Sequence, residues 1–135
     1  MQRVIARMKS ANTGFTRLLH STRYSWYGLR SGWRFEEAFR LEVVLLVVLF
    51  PATFWLARSF TDWLLLVGSA LLVLIVELLN SAIEAVVDRV GSEYHELSGR
   101  AKDLGSAAVL ISALFAALVW GGLLLVRLGF APFGG

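Results

Sequence analysis

Three long apolar segments divide the chain, and each is long enough to cross a lipid bilayer. They run from about Leu41 to Ala57, from about Trp63 to Asp88 and from about Leu104 to Val126. A transmembrane helix needs roughly 20 mostly apolar residues. The hydrophobic pattern therefore predicts three membrane-spanning helices.

The segment ahead of the first span is amphipathic rather than uniformly apolar. Its apolar and aromatic positions recur at helical spacing on one face: Phe15, Leu18, Leu19, Thr22, Trp26, Leu29 and Trp33. A helix with aromatic anchors on one face and Arg on its flanks is typical of the membrane interface. Residues 1–12 are predicted to form a disordered basic tail.

These elements predict an all-α membrane protein with a single membrane domain, 1–135. Its parts are the tail 1–12, an interfacial helix 13–34 and transmembrane helices 36–57, 62–88 and 99–127. Pro51 is expected to kink the first transmembrane helix. Thr61 and Ser98 are expected to cap the next two helices.

A polar stripe begins inside the second apolar segment. Its members occupy positions i, i+3, i+4, i+7 and i+11 and so share one helical face: Glu77, Asn80, Ser81, Glu84 and Asp88. An ionisable side chain at the centre of a membrane costs at least ~2.5 kcal/mol, so the stripe must face protein, water or a metal. The pattern leaves three interpretations open: catalysis, passage of ions or protons, and structural hydrogen bonding between helices.

The composition narrows the class of protein. Hydrophobic residues make up 57% of the chain and charged residues 17%, and the mean hydropathy is +0.67, as expected for a membrane protein. The absence of Cys excludes disulfides and zinc–thiolate sites. The net charge of +3 does not indicate nucleic-acid binding, because the basic residues are not clustered on a soluble face.

The basic residues predict the orientation in the membrane. Of the 13 Lys and Arg, eight precede the first span, three lie between the second and third spans, and only Arg58 and Arg127 fall on the other side. The positive-inside rule then places the N-terminus and the second loop in the cytoplasm. The acidic stripe would end on the cytoplasmic side, where ATP is available.

Small residues recur every four positions along the third span, in two rows: Ala108, Ser112 and Ala116, and Ala113, Ala117 and Gly121. Such rows permit close helix packing in lipid. Packing within the chain is the simpler interpretation. Three helices give little shelter to Glu77 and Asn80, however, so a homo-oligomer is favoured.

The stripe also indicates possible chemistry. Carboxylates are the ligands that Mg²⁺ prefers, and Glu36 is expected at the same membrane depth as Glu84, so the two could share one ion. Glu77 is the most buried acid and a candidate general base. The sequence has no glycine-rich phosphate loop of a soluble kinase. Lys102, Arg17 and Arg100 are the cytoplasmic cations placed to meet phosphates, although for Arg100 a role only in membrane orientation is favoured.

Several motifs resemble those of the small bacterial integral-membrane diacylglycerol kinases. They are Gly14-Phe15-Thr16-Arg17, Tyr24-Ser25-Trp26, Glu36-x-Ala38-Phe39-Arg40-x-Glu42, Glu77-x-x-Asn80-Ser81-Ala82-Ile83-Glu84 and Glu93-Tyr94-His95-Glu96-Leu97-Ser98-Gly99-Arg100-Ala101-Lys102-Asp103. The resemblance covers about residues 14 to 126. It implies a homotrimer in the bacterial inner membrane that transfers the γ-phosphate of ATP to diacylglycerol, with Mg²⁺.

By the same resemblance, Glu77 is the general base, Asn80 supports the site, and Glu36 and Glu84 are the Mg²⁺ ligands. The implied ATP contacts are Arg17, Tyr24, Glu36, Glu84, Glu93, Tyr94, His95, Lys102 and Asp103. The implied lipid contacts are Ser25, Trp26, Arg30, Trp33, Ala38, Glu42, Glu77, Ser106 and Trp120. The family pattern has Lys where this chain has His20, and Glu37 adds an acid beside Glu36.

Other functions remain as alternatives at this point. Undecaprenol kinase uses the same scaffold, but the Asn80-Ser81 pair and the loop from Glu93 to Arg100 favour the diacylglycerol branch. A small proton or ion channel built around Glu77 would need no ATP. A purely structural membrane protein would tolerate Glu77→Gln. The sequence leaves the role of Asp88 open.

Overall fold

A computed structural model describes residues 14–130, which form four α-helices. They are α1 (Phe15–Phe35), α2 (Glu37–Leu56), α3 (Phe60–Val90) and α4 (Glu96–Arg127). The predicted all-α fold is confirmed, and each helix end lies within three residues of its predicted position. The predicted basic tail, 1–12, lies outside the described residues.

Three of the helices, α2, α3 and α4, are long and apolar enough to cross a membrane. Pro51 lies inside α2, and the helix continues on both sides of it. In the most apolar 18-residue segment of α4, only 6% of the residues are buried within the chain. Most of the apolar side chains of α4 therefore face outward, as lipid-facing or partner-facing side chains do.

The predicted caps of α3 and α4 are wrong. Ser59, not Thr61, caps α3: its hydroxyl accepts a hydrogen bond from the Asp62 N–H at 3.1 Å, and the Asp62 carboxylate accepts one from the Ser59 N–H at 3.1 Å. This reciprocal pair is a capping box. His95, not Ser98, caps α4, because its Nδ1 accepts from the Leu97 N–H at 3.1 Å.

The chain divides into two compact units, with the boundary between Glu36 and Glu37. The first unit contains α1. The apolar positions of α1 are exposed, including Phe15, Leu18 and Trp26, and Arg23 donates from Nε to the Tyr27 hydroxyl at 2.8 Å. An exposed apolar face on a helix with several Arg residues agrees with a place in the membrane interface.

The second unit is organised around α3, which packs most extensively against α4 and less against α2. Its buried apolar residues are Phe39, Leu56 and Leu66. The carbonyl of Leu66 accepts two hydrogen bonds, from Ser69 Oγ at 3.0 Å and from the indole N–H of Trp120 at 3.1 Å. The second of these bonds ties α4 to α3 in an apolar setting, where an unpaired N–H would be costly.

Arg58 and Arg127, the two basic residues predicted for the outer side, both make contacts at one end of the second unit. Arg58, in the α2–α3 loop, donates from Nη2 to the Val126 carbonyl at 2.9 Å. A cation at the last turn of α4 also complements the helix dipole. The guanidinium of Arg127 lies 5.4 Å from the centre of the Trp55 ring. These contacts connect α2, the loop and α4 at the end opposite to the acidic stripe.

The corrected cap of α3 can be tested by substitution. Ser59→Ala removes the side-chain acceptor for the Asp62 N–H, and we expect it to lower the free energy of unfolding by about 1 kcal/mol. Thr61→Ala, the matched control inside the first turn, should have a smaller effect. Denaturation in mixed micelles with increasing SDS, followed by circular dichroism, gives both values. A larger loss for Thr61→Ala would contradict the assignment of Ser59.

Candidate functional site

The polar stripe of α3 is buried at its Glu77 end and exposed at its Asp88 end, and Asn80 and Asp88 contact α4. Glu77 is 7% exposed and Ser81 9%, Asn80 and Glu84 are half-buried, and the side chain of Asp88 is 66% exposed. The stripe therefore runs from a buried carboxylate to a carboxylate in water. Along the axis, the 11 residues from Glu77 to Asp88 correspond to roughly 16 Å.

An amide and a carboxylate form a pair in the middle of the stripe. Asn80 donates from Nδ2 to Glu84 Oε1 at 3.2 Å, one helical turn further on. The bond leaves the second carboxylate oxygen of Glu84 available to another ligand. The hydrogen bond also orients the Glu84 carboxylate, in the way that a hydrogen-bonding neighbour of a metal ligand orients that ligand.

The exposed end of the stripe meets a cation on α4. Lys102 donates from Nζ to Asp88 Oδ1 at 2.6 Å, and this ion pair joins α3 to α4. An ion pair this exposed contributes little to stability. Its main consequence is therefore positional, because it holds the ammonium of Lys102 next to the end of the stripe. Asp88, whose role the sequence left open, thus has a partner on α4.

A second carboxylate lies near Glu77. The side chains of Glu42, on α2, and Glu77 are close enough to interact electrostatically. Oε2 of Glu42 is buried and accepts no hydrogen bond from the described residues. Two carboxylates that share an apolar setting are well placed to receive a hydroxyl proton from a bound molecule.

Glu42 stands at the side of an apolar groove with a volume of about 360 Å³. The three transmembrane helices all contribute to its wall: Glu42, Leu45, Leu46, Leu49, Ala70, Val73, Ala113, Ala116, Ala117 and Trp120. Such a groove can hold a hydrocarbon chain beside a polar group. The bond from its indole N–H to the Leu66 carbonyl holds Trp120 in the wall.

The small residues in the two rows of α4 differ in their surroundings. Of the first row, Ser112 is buried within the chain. In the second row Ala113, Ala117 and Gly121 are exposed, and the first two line the groove. Packing within the chain therefore accounts for part of one row, and two members of the other row line the groove.

The loop between α3 and α4 forms a smaller cavity of about 210 Å³ beside the Asp88–Lys102 pair. Its wall includes Glu93, Tyr94 and His95, whose side chains are exposed. Since Nδ1 of His95 accepts from the α4 backbone, its other ring nitrogen is the one that can donate to a ligand. The loop thus brings three of the predicted nucleotide residues next to Lys102.

The remaining predicted residues are placed as follows. Asp103, Ser106 and Ala38 are exposed. The first compact unit contains Arg17, Tyr24, Ser25, Trp26, Arg30, Trp33 and Glu36, and all but the half-buried Glu36 are exposed. The meeting of Glu36 with Glu84 stays a prediction. Within residues 14–130 no group of three acidic or imidazole side chains forms a ready cation site.

Sequence reasoning missed one close contact in this region. Gly105 is buried on α4, and a Cβ built at this position would collide with Oδ1 of Asn80. The approach depends on the register of α4 against α3, which no local pattern records. The available signal was a glycine inside a long apolar helix, where Gly is unfavourable unless packing requires it.

One family model and several known proteins match most of this chain, and all of them are described as diacylglycerol kinases. A sequence model of the family described as prokaryotic diacylglycerol kinase matches residues 23–124. The diacylglycerol kinase of Escherichia coli K12 is 55% identical over 113 residues, covering 84% of this chain and 93% of the relative. The Haemophilus influenzae protein of the same name is 53% identical, covering 83% and 95%. The Pseudomonas aeruginosa protein is 49% identical, covering 84% and 92%.

The hydrogen bond from Trp120 to the Leu66 carbonyl predicts that Trp120 and Trp63 differ in how much their indole N–H groups contribute to stability. Trp120→Phe removes the indole donor, and we expect a loss of about 1 kcal/mol of unfolding free energy beyond the loss of ring volume. Trp63→Phe is the matched control, because the buried Nε1 of Trp63 has no hydrogen-bond partner among the described residues. Unfolding of both variants by SDS in micelles measures the difference, and equal losses would contradict the role of the bond.

Proposed function

The chain belongs to the prokaryotic diacylglycerol kinase family, and on that premise we propose that it transfers the γ-phosphoryl group of ATP to the free hydroxyl of diacylglycerol. The acceptor oxygen forms a bond to the γ-phosphorus, the bond from phosphorus to the ADP oxygen breaks, and the hydroxyl proton leaves. The products are phosphatidate, ADP and a proton. The reaction joins a membrane-embedded lipid to a water-borne nucleotide.

The observation that carries the proposal is the graded exposure of the stripe on α3. Glu77 lies at its buried end, near Glu42 and the apolar groove. Asp88 and Lys102 lie at its exposed end, beside the α3–α4 loop. A reaction between a lipid and ATP needs such an arrangement, with the acceptor at the apolar end and the nucleotide at the aqueous end.

Glu77 is proposed as the general base. Its carboxylate would accept the proton of the lipid hydroxyl as the oxygen attacks phosphorus. Phosphoryl transfer depends mainly on positioning and on neutralising phosphate charge. A buried carboxylate at the level of the lipid headgroup meets the first requirement, since it can hold the hydroxyl in place by a hydrogen bond before the transfer.

Glu36 and Glu84 are proposed to hold Mg²⁺ together with the phosphates. The residues fit this ion, because Mg²⁺ in phosphoryl-transfer sites is usually bound through one or two carboxylates and the substrate phosphates, and the Asn80 bond leaves an oxygen of Glu84 available. When bound, the ion neutralises phosphate charge. Lys102 would contact the phosphates, and the further ATP contacts are proposed to be Arg17, Tyr24, Glu93, Tyr94, His95 and Asp103.

The lipid is proposed to lie along the groove, with its hydroxyl toward Glu77 and Glu42. Trp120 forms part of the groove wall and would contact an acyl chain. Burying apolar acyl surface against such a wall favours binding in proportion to the area covered. The further lipid contacts are proposed to be Ser25, Trp26, Arg30, Trp33, Ala38 and Ser106.

We infer a location in the cytoplasmic membrane of a bacterium, with the N-terminus and the α3–α4 loop on the cytoplasmic side. The distribution of Lys and Arg supports this orientation. A homotrimer with shared sites is proposed as well. Its support is that most apolar side chains of α4 face away from the rest of the chain, where a helix of a neighbouring chain could pack against them.

The role of Glu77 is tested by Glu77→Gln, which keeps the shape of the side chain and removes the base. We expect kcat to fall by at least ~100-fold, while folding and nucleotide binding persist. Transfer of labelled phosphate to diacylglycerol in mixed micelles measures kcat, and Glu96→Gln on the surface of α4 is the control. Substantial remaining turnover in Glu77→Gln would remove this residue as the base.

The metal assignment is tested by Glu84→Gln and Glu36→Gln. Each variant loses a charged oxygen ligand, so we expect the half-saturating Mg²⁺ concentration to rise at least about tenfold, equivalent to about 1.4 kcal/mol of binding free energy. Glu37→Gln, which removes the neighbouring acid, should leave the Mg²⁺ titration unchanged. Unchanged titrations for both test variants would contradict the assignment.

A further inference from the structure

The contact between Gly105 and Asn80 connects α4 to the proposed metal ligand. Gly105 is buried, and its missing side chain leaves the space that the Asn80 amide occupies. A Cβ at this position would collide with Asn80 Oδ1 and come within 3.3 Å of Asn80 Cγ. The atoms that collide belong to the side chain of Asn80, so a side chain at position 105 requires the Asn80 amide to move.

The orientation of the Asn80 amide is fixed by its two neighbours. Nδ2 donates to Glu84 Oε1 at 3.2 Å, and Oδ1 is buried with no hydrogen-bond partner among the described residues. A rotated amide would bring Oδ1 against the carboxylate, where two acceptors repel. The oxygen therefore points toward α4, into the space that a side chain at position 105 would occupy.

From this chain of contacts we propose that Gly105 is a positioning residue: the absence of a side chain there sets the Asn80 amide, which in turn orients the carboxylate of Glu84 toward the metal. This inference rests on the proposed function, in which Glu84 is a Mg²⁺ ligand. Partners of a metal ligand typically change metal affinity by 10- to 100-fold when they are lost. Gly105 acts through Asn80 and touches neither the metal nor ATP.

The test compares Gly105→Ala with Gly122→Ala. Both substitutions replace a glycine inside α4 with a better helix former, but a Cβ at Gly122 meets nothing within 4 Å. The first readout is the side-chain amide of Asn80 in protein labelled with ¹⁵N-asparagine. The sequence contains only two asparagines, Asn12 and Asn80, so each amide pair can be assigned by one substitution. The second readout is the affinity for Mn²⁺ in the presence of β,γ-methylene-ATP, followed by electron paramagnetic resonance.

We expect Gly105→Ala to move the Asn80 amide signal, to speed its exchange with solvent and to weaken Mn²⁺ binding about tenfold. Gly122→Ala should do none of these. An unchanged Asn80 signal, or unchanged Mn²⁺ affinity, in Gly105→Ala would overturn the proposal. If Gly105→Ala does not fold, the variant that also carries Asn80→Ala decides the matter. Recovery of folding supports the steric contact, and continued failure to fold overturns it.

Failure of the proposed function has a different signature. If Glu84→Gln binds Mn²⁺ as tightly as the unmodified chain, Glu84 is not a metal ligand. The Asn80 signal of Gly105→Ala would still move in that case, because the steric contact does not involve the metal. The amide spectrum therefore tests the steric contact between Gly105 and Asn80, and the metal titration tests the role of Glu84 as a ligand.

Discussion

A helix that crosses a membrane with charged groups on one face must cover that face, because the hydrocarbon core offers no hydrogen-bond partners. In this chain α4, against which α3 makes its most extensive contact, covers Asn80 and Asp88, and Glu77 lies near Glu42 of α2. The stripe from Glu77 to Asp88 is buried at one end and paired with Lys102 at the other. The remaining features of the site follow from this contact between two helices.

The packing of α3 against α4 restricts the size of the side chain at each position along α4 that faces α3. Where the Asn80 amide approaches, α4 has Gly105, and deeper in the membrane it buries the small side chain of Ser112. Towards the far end, the large indole of Trp120 reaches back to the Leu66 carbonyl of α3. Gly105 thus admits the Asn80 amide of α3, while Trp120 joins the two helices by a hydrogen bond and forms part of the groove wall.

The sequence predicted the elements well because their signals are local and periodic. Three apolar segments and one amphipathic segment give four helices, and the burial of Glu77 follows from its place in the second segment. The prediction of the two caps was wrong because residue type alone, as at Thr61 and Ser98, does not identify a helix cap. Ser59 caps α3 with Asp62 as its partner, and the ring nitrogen of His95 caps α4. The Gly105–Asn80 and Lys102–Asp88 contacts depend on the register between two helices, which no single segment specifies.

The central claim, that this chain phosphorylates a lipid from ATP, is tested most directly by the transfer reaction itself. Purified protein in mixed micelles would be given labelled ATP, Mg²⁺ and either diacylglycerol or undecaprenol, and the label in the lipid phase would be measured. We expect strong labelling of diacylglycerol and little labelling of undecaprenol. Preference for undecaprenol would contradict the proposed substrate, and folded protein that labels neither lipid would contradict the proposed activity.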